Sequence, residues 1–129
     1  VELEELGRLS DFISIHVHLS EDTFHLVDDE FLQGIKNTAI IVNTSRGAIV
    51  DEGAVLKKLQ VGALAGYAAD VLVGEPDVRN HPLVRYAKTN DNVIITPHCG
   101  GFSHDAVRLV CRHATSKVID HFDRVEHEY

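Results

Sequence analysis

Three residues in this sequence could together perform acid–base chemistry on an anionic molecule. Arg46 carries a planar guanidinium whose rigid fork of N–H donors can grip the two oxygens of a carboxylate. His98 can exchange a proton near neutral pH, since an unperturbed imidazole has a pKa of about 6.5. Glu75 could hydrogen-bond the other ring nitrogen, orient the ring and favour its protonated form. This combination predicts a site that binds a carboxylate and moves a proton beside it.

The elements that would hold these residues alternate between strands and helices. Short apolar runs predict strands over 12–17, 39–42, 65–71 and 93–95. Amphipathic or capped stretches predict helices over 3–9, 28–35, 51–60, 81–86 and 103–122. The strands are uniformly apolar, which is typical of a parallel sheet covered on both faces. We therefore predict an α/β fold in which about four strands form half of a doubly wound parallel sheet with flanking helices.

Polar residues gather where the predicted strands end. In open parallel sheets, ligands bind beyond the carboxyl ends of the strands. The residues at those positions, taken strand by strand, are His16 and His18; Thr44, Ser45 and Arg46; Asp70 and Glu75; and His98, followed by Gly100 and Gly101. Four successive strand ends that carry reactive or binding groups predict one site along this edge of the sheet.

Three short motifs contain the arginine, the glutamate and the histidine. They are Asn-Thr-Ser-Arg-Gly at 43–47, Ala-Asp-Val at 69–71 with Gly-Glu-Pro at 74–76, and Thr-Pro-His at 96–98. In order and spacing they resemble the signatures of D-isomer-specific 2-hydroxyacid dehydrogenases, the group that includes phosphoglycerate dehydrogenase. The resemblance runs over about residues 3–118 and implies a Rossmann-type sheet. It identifies residues 1–129 as the C-terminal half of an NAD-binding domain, with 103–122 a helix leading towards a substrate domain.

The resemblance implies hydride transfer between NAD(H) and C2 of a 2-hydroxy or 2-oxo acid. Arg46 would bind the substrate and polarise its carbonyl, His98 would act as acid and base, and Glu75 would tune the histidine. Glutamate at 75 favours a hydroxy acid, because related formate dehydrogenases tend to pair glutamine with the histidine. NADP stays open as the cofactor, since no residue that reads the ribose is identifiable.

The resemblance also implies cofactor contacts. Asp70 stands where family members contact the nicotinamide end of NAD, and His16 and Val17 stand at the strand end near the adenosine side. The positions that resemble cofactor-contacting ones are His16, Val17, Thr44, Ser45, Arg46, Asp70, His98, Gly100 and Gly101.

Several features depart from the family pattern. His18 stands where the family usually has proline, Ser45 where it often has alanine, and Cys99 where isoleucine is common. No Gly-x-Gly-x-x-Gly loop occurs among the nine glycines, and that loop would bind the cofactor diphosphate. The chain also starts at Val1 and contains no methionine. We therefore expect a fragment of a longer protein, without the diphosphate half and much of the substrate pocket.

Two alternative functions remain at this point. One is a dehydrogenase-derived binding module, such as a corepressor, that senses NAD(H) and recruits partners. The other is a catalytically inactive truncated fragment, which is the behaviour we expect of the 129 residues in isolation. The full trio of Arg46, Glu75 and His98 argues for an enzyme over the first alternative.

Composition and charge limit the kinds of partner that we expect this chain to bind. The net charge of −8, without a basic run, argues against nucleic acid as a partner, and no apolar stretch reaches the roughly 20 residues of a membrane span. Two cysteines without a spacing pattern suit a reducing, cytoplasmic location. His16-x-His18 has no second pair at zinc-ligand spacing, so no metal is expected. An apolar stripe along helix 103–122 is predicted as a core face, which would favour a homodimer if left uncovered.

Overall fold

The computed structural model describes residues 1–126, and residues 127–129 lie outside the described part of the chain. The chain divides into two compact units, Val1–His98 and Cys99–Tyr129. The first unit contains, in chain order, α1 (Leu3–Leu9), β1 (Phe12–Ile15), α2 (Asp29–Gly34), β2 (Ile40–Asn43), α3 (Glu52–Gln60), β3 (Gly66–Ala69), α4 (Pro82–Ala87) and β4 (Val93–Ile95). A short 3-10 turn at Gly47–Ile49 was not predicted.

The four strands form one parallel sheet in the order β1-β2-β3-β4, which confirms the predicted fold class. Phe12 pairs with Ile40, Ile40 with Gly66, and Tyr67 with Val93. Strands β1 and β3 are shorter than predicted, and because β1 ends at Ile15, His16 and His18 follow the strand. Because all three pairings are parallel, the four carboxyl ends lie along the same edge of the sheet.

Within the described residues, the strands are well buried on one face only, which corrects the prediction of a sheet covered on both faces. On β1, Ile13 is 7% exposed whereas its neighbour Phe12 is 72% exposed. Strands in sequential order joined by right-handed crossovers place every connecting helix on the same face. The helices indeed form one layer, in which α1 packs against α2, α2 against α3, and α3 against α4.

The open face leads to a prediction about dye binding. We expect the double variant Phe12→Thr/Ile94→Thr to lower the fluorescence of bound anilinonaphthalene sulfonate by roughly half, because both side chains are exposed and apolar. The free energy of unfolding should change by about 0.5 kcal/mol or less per site. Val93→Thr is the matched control on the buried face, where it should keep the dye signal and destabilise the fold. An unchanged dye signal in the double variant would contradict this description of the face.

Local signals set the helix ends of the first unit. The Asp28 carboxylate accepts the Phe31 N–H at 2.9 Å and begins α2, and the Asp51 carboxylate accepts the Ala54 N–H at 3.0 Å and begins α3. After α3, Gly62 has a positive φ of 70°, a conformation that glycine adopts without steric cost. The caps at Asp28 and Asp51 therefore begin α2 and α3 at the predicted starts of the helices 28–35 and 51–60.

The second unit consists mainly of α5 (His104–Glu126). Ser103 begins it as predicted, because its hydroxyl accepts the Ala106 N–H at 3.1 Å. The helix continues beyond the predicted end at 122. Its apolar stripe is exposed and does not form the predicted core face; the exposed residues include Val107, Val110, Val118 and Phe122. That this helix leads towards a substrate domain, and that the stripe supports a homodimer, stay predictions.

Candidate active site

The edge formed by the carboxyl ends of the strands carries the predicted site residues of the first unit. His16 and Val17 follow β1, Thr44 to Arg46 follow β2, Asp70 and Glu75 follow β3, and His98 follows β4. Since the four strands are consecutive neighbours, these segments lie side by side. Gly100 and Gly101 belong to the second unit, so their contact with a cofactor stays a prediction.

Glu75 and His98 form a hydrogen-bonded pair. Oε2 of Glu75 lies 2.6 Å from Nδ1 of His98, and Oε1 of the same carboxylate accepts the Leu72 N–H at 2.6 Å. Both oxygens therefore have a partner, which fixes the direction of the carboxylate. The side chains are 29% and 46% exposed, so a molecule in solution can reach the pair. Because Glu75 faces Nδ1, Nε2 is the ring nitrogen available for exchange with a ligand.

The backbone at His98 is unusual. Its φ is 51°, in the left-handed region that few residues other than glycine adopt, although histidine is among those that do. The His98 N–H donates to the Thr96 carbonyl at 3.0 Å around Pro97, and the Thr96 N–H donates to the Ala69 carbonyl at 2.9 Å. The last bond extends the β3–β4 ladder. Backbone strain of this kind clusters at functional sites.

Asp70 is a buried carboxylate at the end of β3. It is only 7% exposed, its carboxylate accepts a short hydrogen bond from the Thr96 hydroxyl, and its N–H donates to the Asn43 carbonyl at 3.0 Å. Buried carboxylates require such donors. Asp70 therefore joins the ends of β2, β3 and β4.

The segment after β2 is built on Asn43, which is fully buried. Its side chain accepts the Ser45 N–H at 3.0 Å and donates to the Arg46 carbonyl at 2.9 Å, so the amide forms the turn that presents Arg46. The Arg46 guanidinium is exposed and donates to the Ser45 carbonyl at 2.6 Å. The structure thus pairs Glu75 with His98, while the Arg46 guanidinium contacts the backbone carbonyl of the preceding residue.

Val17, which was predicted to lie near the adenosine side, is hydrogen-bonded to Ser45, another predicted cofactor contact. The Ser45 hydroxyl donates a short hydrogen bond to the Val17 carbonyl, which ties the end of β1 to the Arg46 turn. His16 is exposed, and its Nε2 lies 2.8 Å from the Ser14 hydroxyl. Thr44 is also exposed. The Ser45 side chain therefore has a structural partner, and its contact with a cofactor stays a prediction.

Gly47 joins the Arg46 turn to the segment that precedes Glu75. A Cβ at position 47 would lie 2.4 Å from the carbonyl carbon of Leu72 and 2.4 Å from the nitrogen of Val73. Both are backbone atoms, which cannot move aside as a flexible side chain can. Only glycine permits this approach, so the Arg46 turn and the Glu75 segment are held together by direct backbone packing.

We therefore expect Gly47→Ala to lower the free energy of unfolding by roughly 1–3 kcal/mol, the usual cost of overpacking. Urea unfolding measures the difference. Gly34→Ala is the matched control, because nothing lies within 4 Å of a Cβ added there, and it should stay within about 0.5 kcal/mol of the wild type. Equal stability of the two variants would show that the two segments are not packed as described.

Glu52 and His81 form a second glutamate–histidine pair, which was not predicted. Oε2 of Glu52 is 2.9 Å from Nε2 of His81, and the side chains are only 7% and 13% exposed. The Val73 N–H donates to the two oxygens of Glu52 at 3.2 and 3.3 Å. Burial raises the pKa of Glu52, an effect that the Val73 N–H and His81 oppose. Burial, together with the charge of Glu52, also raises the pKa of Tyr67.

The sequence offered little signal for this pair. Glu52 follows the cap of α3 and looks like an ordinary acid in a first helical turn, and His81 precedes Pro82 at a helix start. The two residues are 29 positions apart, and only the packing of α3 against α4 brings them together. Asn43 was part of a recognised motif, but its role in forming the turn was not predicted.

Two kinds of feature are absent from residues 1–126, the part of the chain that the structure describes. No helix there combines the length and apolar character that a membrane crossing requires. No three histidine, cysteine, aspartate or glutamate side chains in that range are grouped so that they could hold a metal ion.

Comparison with known proteins gives the family. Residues 1–100 match the family model described as D-isomer specific 2-hydroxyacid dehydrogenase, NAD binding domain. A glyoxylate reductase from Korarchaeum cryptofilum is 44% identical over 105 residues, which cover 81% of this chain and 30% of the relative. The chain therefore spans less than a third of that relative's length.

Solved structures agree with the family match. A D-lactate dehydrogenase with NAD+ from Lactobacillus jensenii is similar with a TM-score of 0.77 and 27% identity, covering 84% of this chain and 35% of that one. A D-isomer specific 2-hydroxyacid dehydrogenase from Xanthobacter autotrophicus, in complex with NADPH and MES, is similar with a TM-score of 0.67 and 31% identity, covering 74% and 30%. The chain belongs to the D-isomer-specific 2-hydroxyacid dehydrogenase family, within the NAD-binding domain of that family.

Proposed function

We propose that this chain supplies the acid–base and nicotinamide side of an enzyme that interconverts D-2-hydroxy acids and 2-oxo acids. The single observation that carries the proposal is the contact of 2.6 Å between Glu75 and Nδ1 of His98 at the carboxyl edge of the sheet. A carboxylate that orients an imidazole is a recurrent arrangement for general acid–base catalysis. Membership of the family supports the substrate class.

In this proposal His98 moves the proton. Glu75 accepts the Nδ1–H bond, so the proton that is given to a 2-oxo acid, or taken from a 2-hydroxy acid, sits on Nε2. When bound, NADH supplies a hydride for C2 of the oxo acid. The proton from Nε2 then completes the hydroxyl group as the carbonyl electron pair moves to oxygen. Glu75 stabilises the charged imidazolium that exists before this transfer.

Arg46 is proposed to bind the substrate carboxylate. Its guanidinium is exposed and contacts the Ser45 carbonyl, a neutral acceptor that an incoming carboxylate can replace. The turn beneath it is held by the Asn43 amide and by the backbone packing of Gly47. A guanidinium on a rigid turn loses little freedom when it grips two carboxylate oxygens, which favours both binding and polarisation of the adjacent carbonyl.

The strand-end residues suit NAD as the cofactor. The Asp70 carboxylate, held by Thr96, is an acceptor at the end of β3 of the kind that the carboxamide of nicotinamide can use. Thr44, His16 and Val17 are exposed at the neighbouring strand ends. We propose that these residues, with Ser45, line the cofactor site. NADP stays open, because similar structures are solved with either NAD+ or NADPH.

Product analysis on the full-length protein tests the proposal. Glyoxylate and a larger 2-oxo acid such as pyruvate are added with NADH, and absorbance at 340 nm and the chirality of the product are followed. The proposal expects NADH oxidation with both acids and the D-isomer of the hydroxy acid formed from pyruvate, since the product of glyoxylate has no stereocentre. A protein that binds NADH and does not turn over any 2-oxo acid would instead support the binding-module alternative. A full-length protein that does neither would contradict the proposal, and the same assay on the 129 residues alone tests the inactive-fragment alternative.

A further inference from the structure

Two adjacent amides before Glu75 are each held by a different glutamate. The Leu72 N–H donates to Glu75 at 2.6 Å, and the Val73 N–H donates to Glu52 at 3.2 and 3.3 Å. Each glutamate also contacts a histidine, Glu75 with His98 and Glu52 with His81. The two pairs are therefore connected through two consecutive peptide groups of the backbone, which meet at Leu72.

The contacts of His81 determine where its ring carries a proton. Nδ1 of His81 accepts the Leu83 N–H at 3.3 Å and thereby caps α4. A neutral ring that accepts at Nδ1 must carry its proton on Nε2, and Nε2 faces Glu52 at 2.9 Å. Glu52 thus receives two donors, the His81 ring and the Val73 amide. An ionised carboxylate offers two acceptor oxygens to these donors, whereas an amide in its place would offer only one.

Stability alone does not explain the Glu52–His81 pair. Burial raises the pKa of Glu52, so keeping the carboxylate ionised inside the fold costs free energy. Buried ion pairs are often no better for stability than apolar residues of similar volume. What the pair does provide is a fixed position for the Val73 amide, on a segment whose backbone is in contact with Gly47.

We propose that Glu52 and His81 are a positioning pair, which holds the 72–73 peptide so that Glu75 keeps the His98 ring protonated on Nδ1. This inference rests on the proposed function for its significance, because the Nδ1 proton is what reserves Nε2 for the substrate. Neither residue touches the reacting atoms. Their effect passes through Val73, Leu72 and Glu75 to the histidine.

A matched pair of substitutions at His81 separates positioning from helix capping. His81→Asn retains an acceptor near the position of Nδ1 for the Leu83 N–H and loses the donor to Glu52. His81→Gln places an amide N–H near the position of Nε2, retains the donor to Glu52 and loses the cap. Glu52→Gln tests the other partner, since its amide has a single acceptor oxygen and no negative charge.

The readouts are ¹⁵N NMR of the neutral His98 ring and hydrogen exchange of the Leu72 and Val73 amides, in the 129-residue chain without cofactor or substrate. We expect His81→Asn and Glu52→Gln to lower the fraction of His98 protonated on Nδ1 and to speed exchange of the Val73 amide by roughly tenfold or more. His81→Gln should leave both unchanged, although it destabilises α4. The Ile41 amide of the central sheet checks that every variant is folded.

Two results would overturn the inference. If His81→Asn and Glu52→Gln leave the His98 tautomer and both amides as in the wild type, the pair positions nothing. If His81→Gln disturbs His98 as much as His81→Asn does, the pair acts through the cap of α4. Because no turnover is measured, failure of the proposed function leaves this result intact. Conversely, normal 2-oxo acid reduction with an unresponsive His98 tautomer refutes only the positioning role.

Discussion

Replacing His98 with asparagine is expected to lower kcat by roughly 10²–10⁴-fold, the usual contribution of a general acid–base residue. Asparagine can donate to Glu75 from near the position of Nδ1, and it tolerates the positive φ of 51° that this position adopts. It has no group near the position of Nε2. The variant therefore removes the proposed proton donor and leaves the Glu75 contact and the turn in place. Steady-state kinetics of the full-length protein with NADH and a 2-oxo acid measures the effect.

The matched control is His104→Asn, which changes an exposed histidine at the start of α5. It should leave kcat within about twofold, since surface substitutions have small effects. A His98→Asn variant that keeps wild-type kcat would refute the assignment of proton transfer to His98. Loss of activity in both variants would point to a general sensitivity to histidine replacement.

Arg46→Lys is expected to raise the KM for the 2-oxo acid by roughly 10–100-fold, which corresponds to about 1.5–3 kcal/mol for a lost charge-assisted hydrogen bond. Lysine keeps the positive charge but has no planar fork, so it cannot grip both carboxylate oxygens at once. The affinity for NADH should fall less than the affinity for the 2-oxo acid, because lysine keeps the positive charge at this position, which also resembles a cofactor contact. We also expect a fall in kcat, because the guanidinium is proposed to polarise the carbonyl.

Arg79→Lys is the control for Arg46→Lys. Arg79 is exposed and pairs with Asp77 in the loop before α4, so its replacement should leave the KM for the 2-oxo acid unchanged. The Arg46 assignment fails if Arg46→Lys has the KM and kcat of the wild type. It also fails if the variant loses NADH affinity while its KM for the 2-oxo acid stays constant.

Much of the fold could be predicted because its signals are local. Residues of the types found at positions 28, 51 and 103 favour helix starts, because their side-chain oxygens accept hydrogen bonds from nearby N–H groups. The structure shows such a bond for Asp28, Asp51 and Ser103. The apolar runs at β2 and β4 are short and bounded by polar residues, so both strands lie within a residue of their predicted bounds. Because the carboxyl ends of parallel strands share one edge of a sheet, the polar residues that follow each strand could be predicted to lie together.

The open face of the sheet could not be predicted from composition. Phe12 and Ile94 are apolar residues in strands, just as buried residues are, and nothing in their type shows that helices cover the opposite face only. Which face the helices cover depends on strand order, since sequential parallel strands place their connecting helices on one side of the sheet. Strand order is a long-range property, which apolar periodicity does not encode.

Long-range polar contacts explain the rest of what was missed. The bonds from Ser45 to Val17 and from His81 to Glu52 join residues 28 and 29 positions apart, and each requires two turns to be correctly placed first. The same is true of Gly47, whose need for glycine comes from the backbone of Leu72 and Val73. Motif recognition gave the identity of Glu75 and His98, but the supporting contacts depend on the folded arrangement of neighbouring loops.

The most direct test of the central claim separates cofactor binding from proton transfer in one experiment. The full-length protein and its His98→Asn variant are titrated with NADH by nicotinamide fluorescence, and a 2-oxo acid is then added to the same sample. We predict saturable binding in both proteins and rapid loss of the NADH signal in the wild type only, with the variant slower by roughly 10²-fold or more. Equal rates of loss in the two proteins, or no saturable binding in the wild type, would contradict the account.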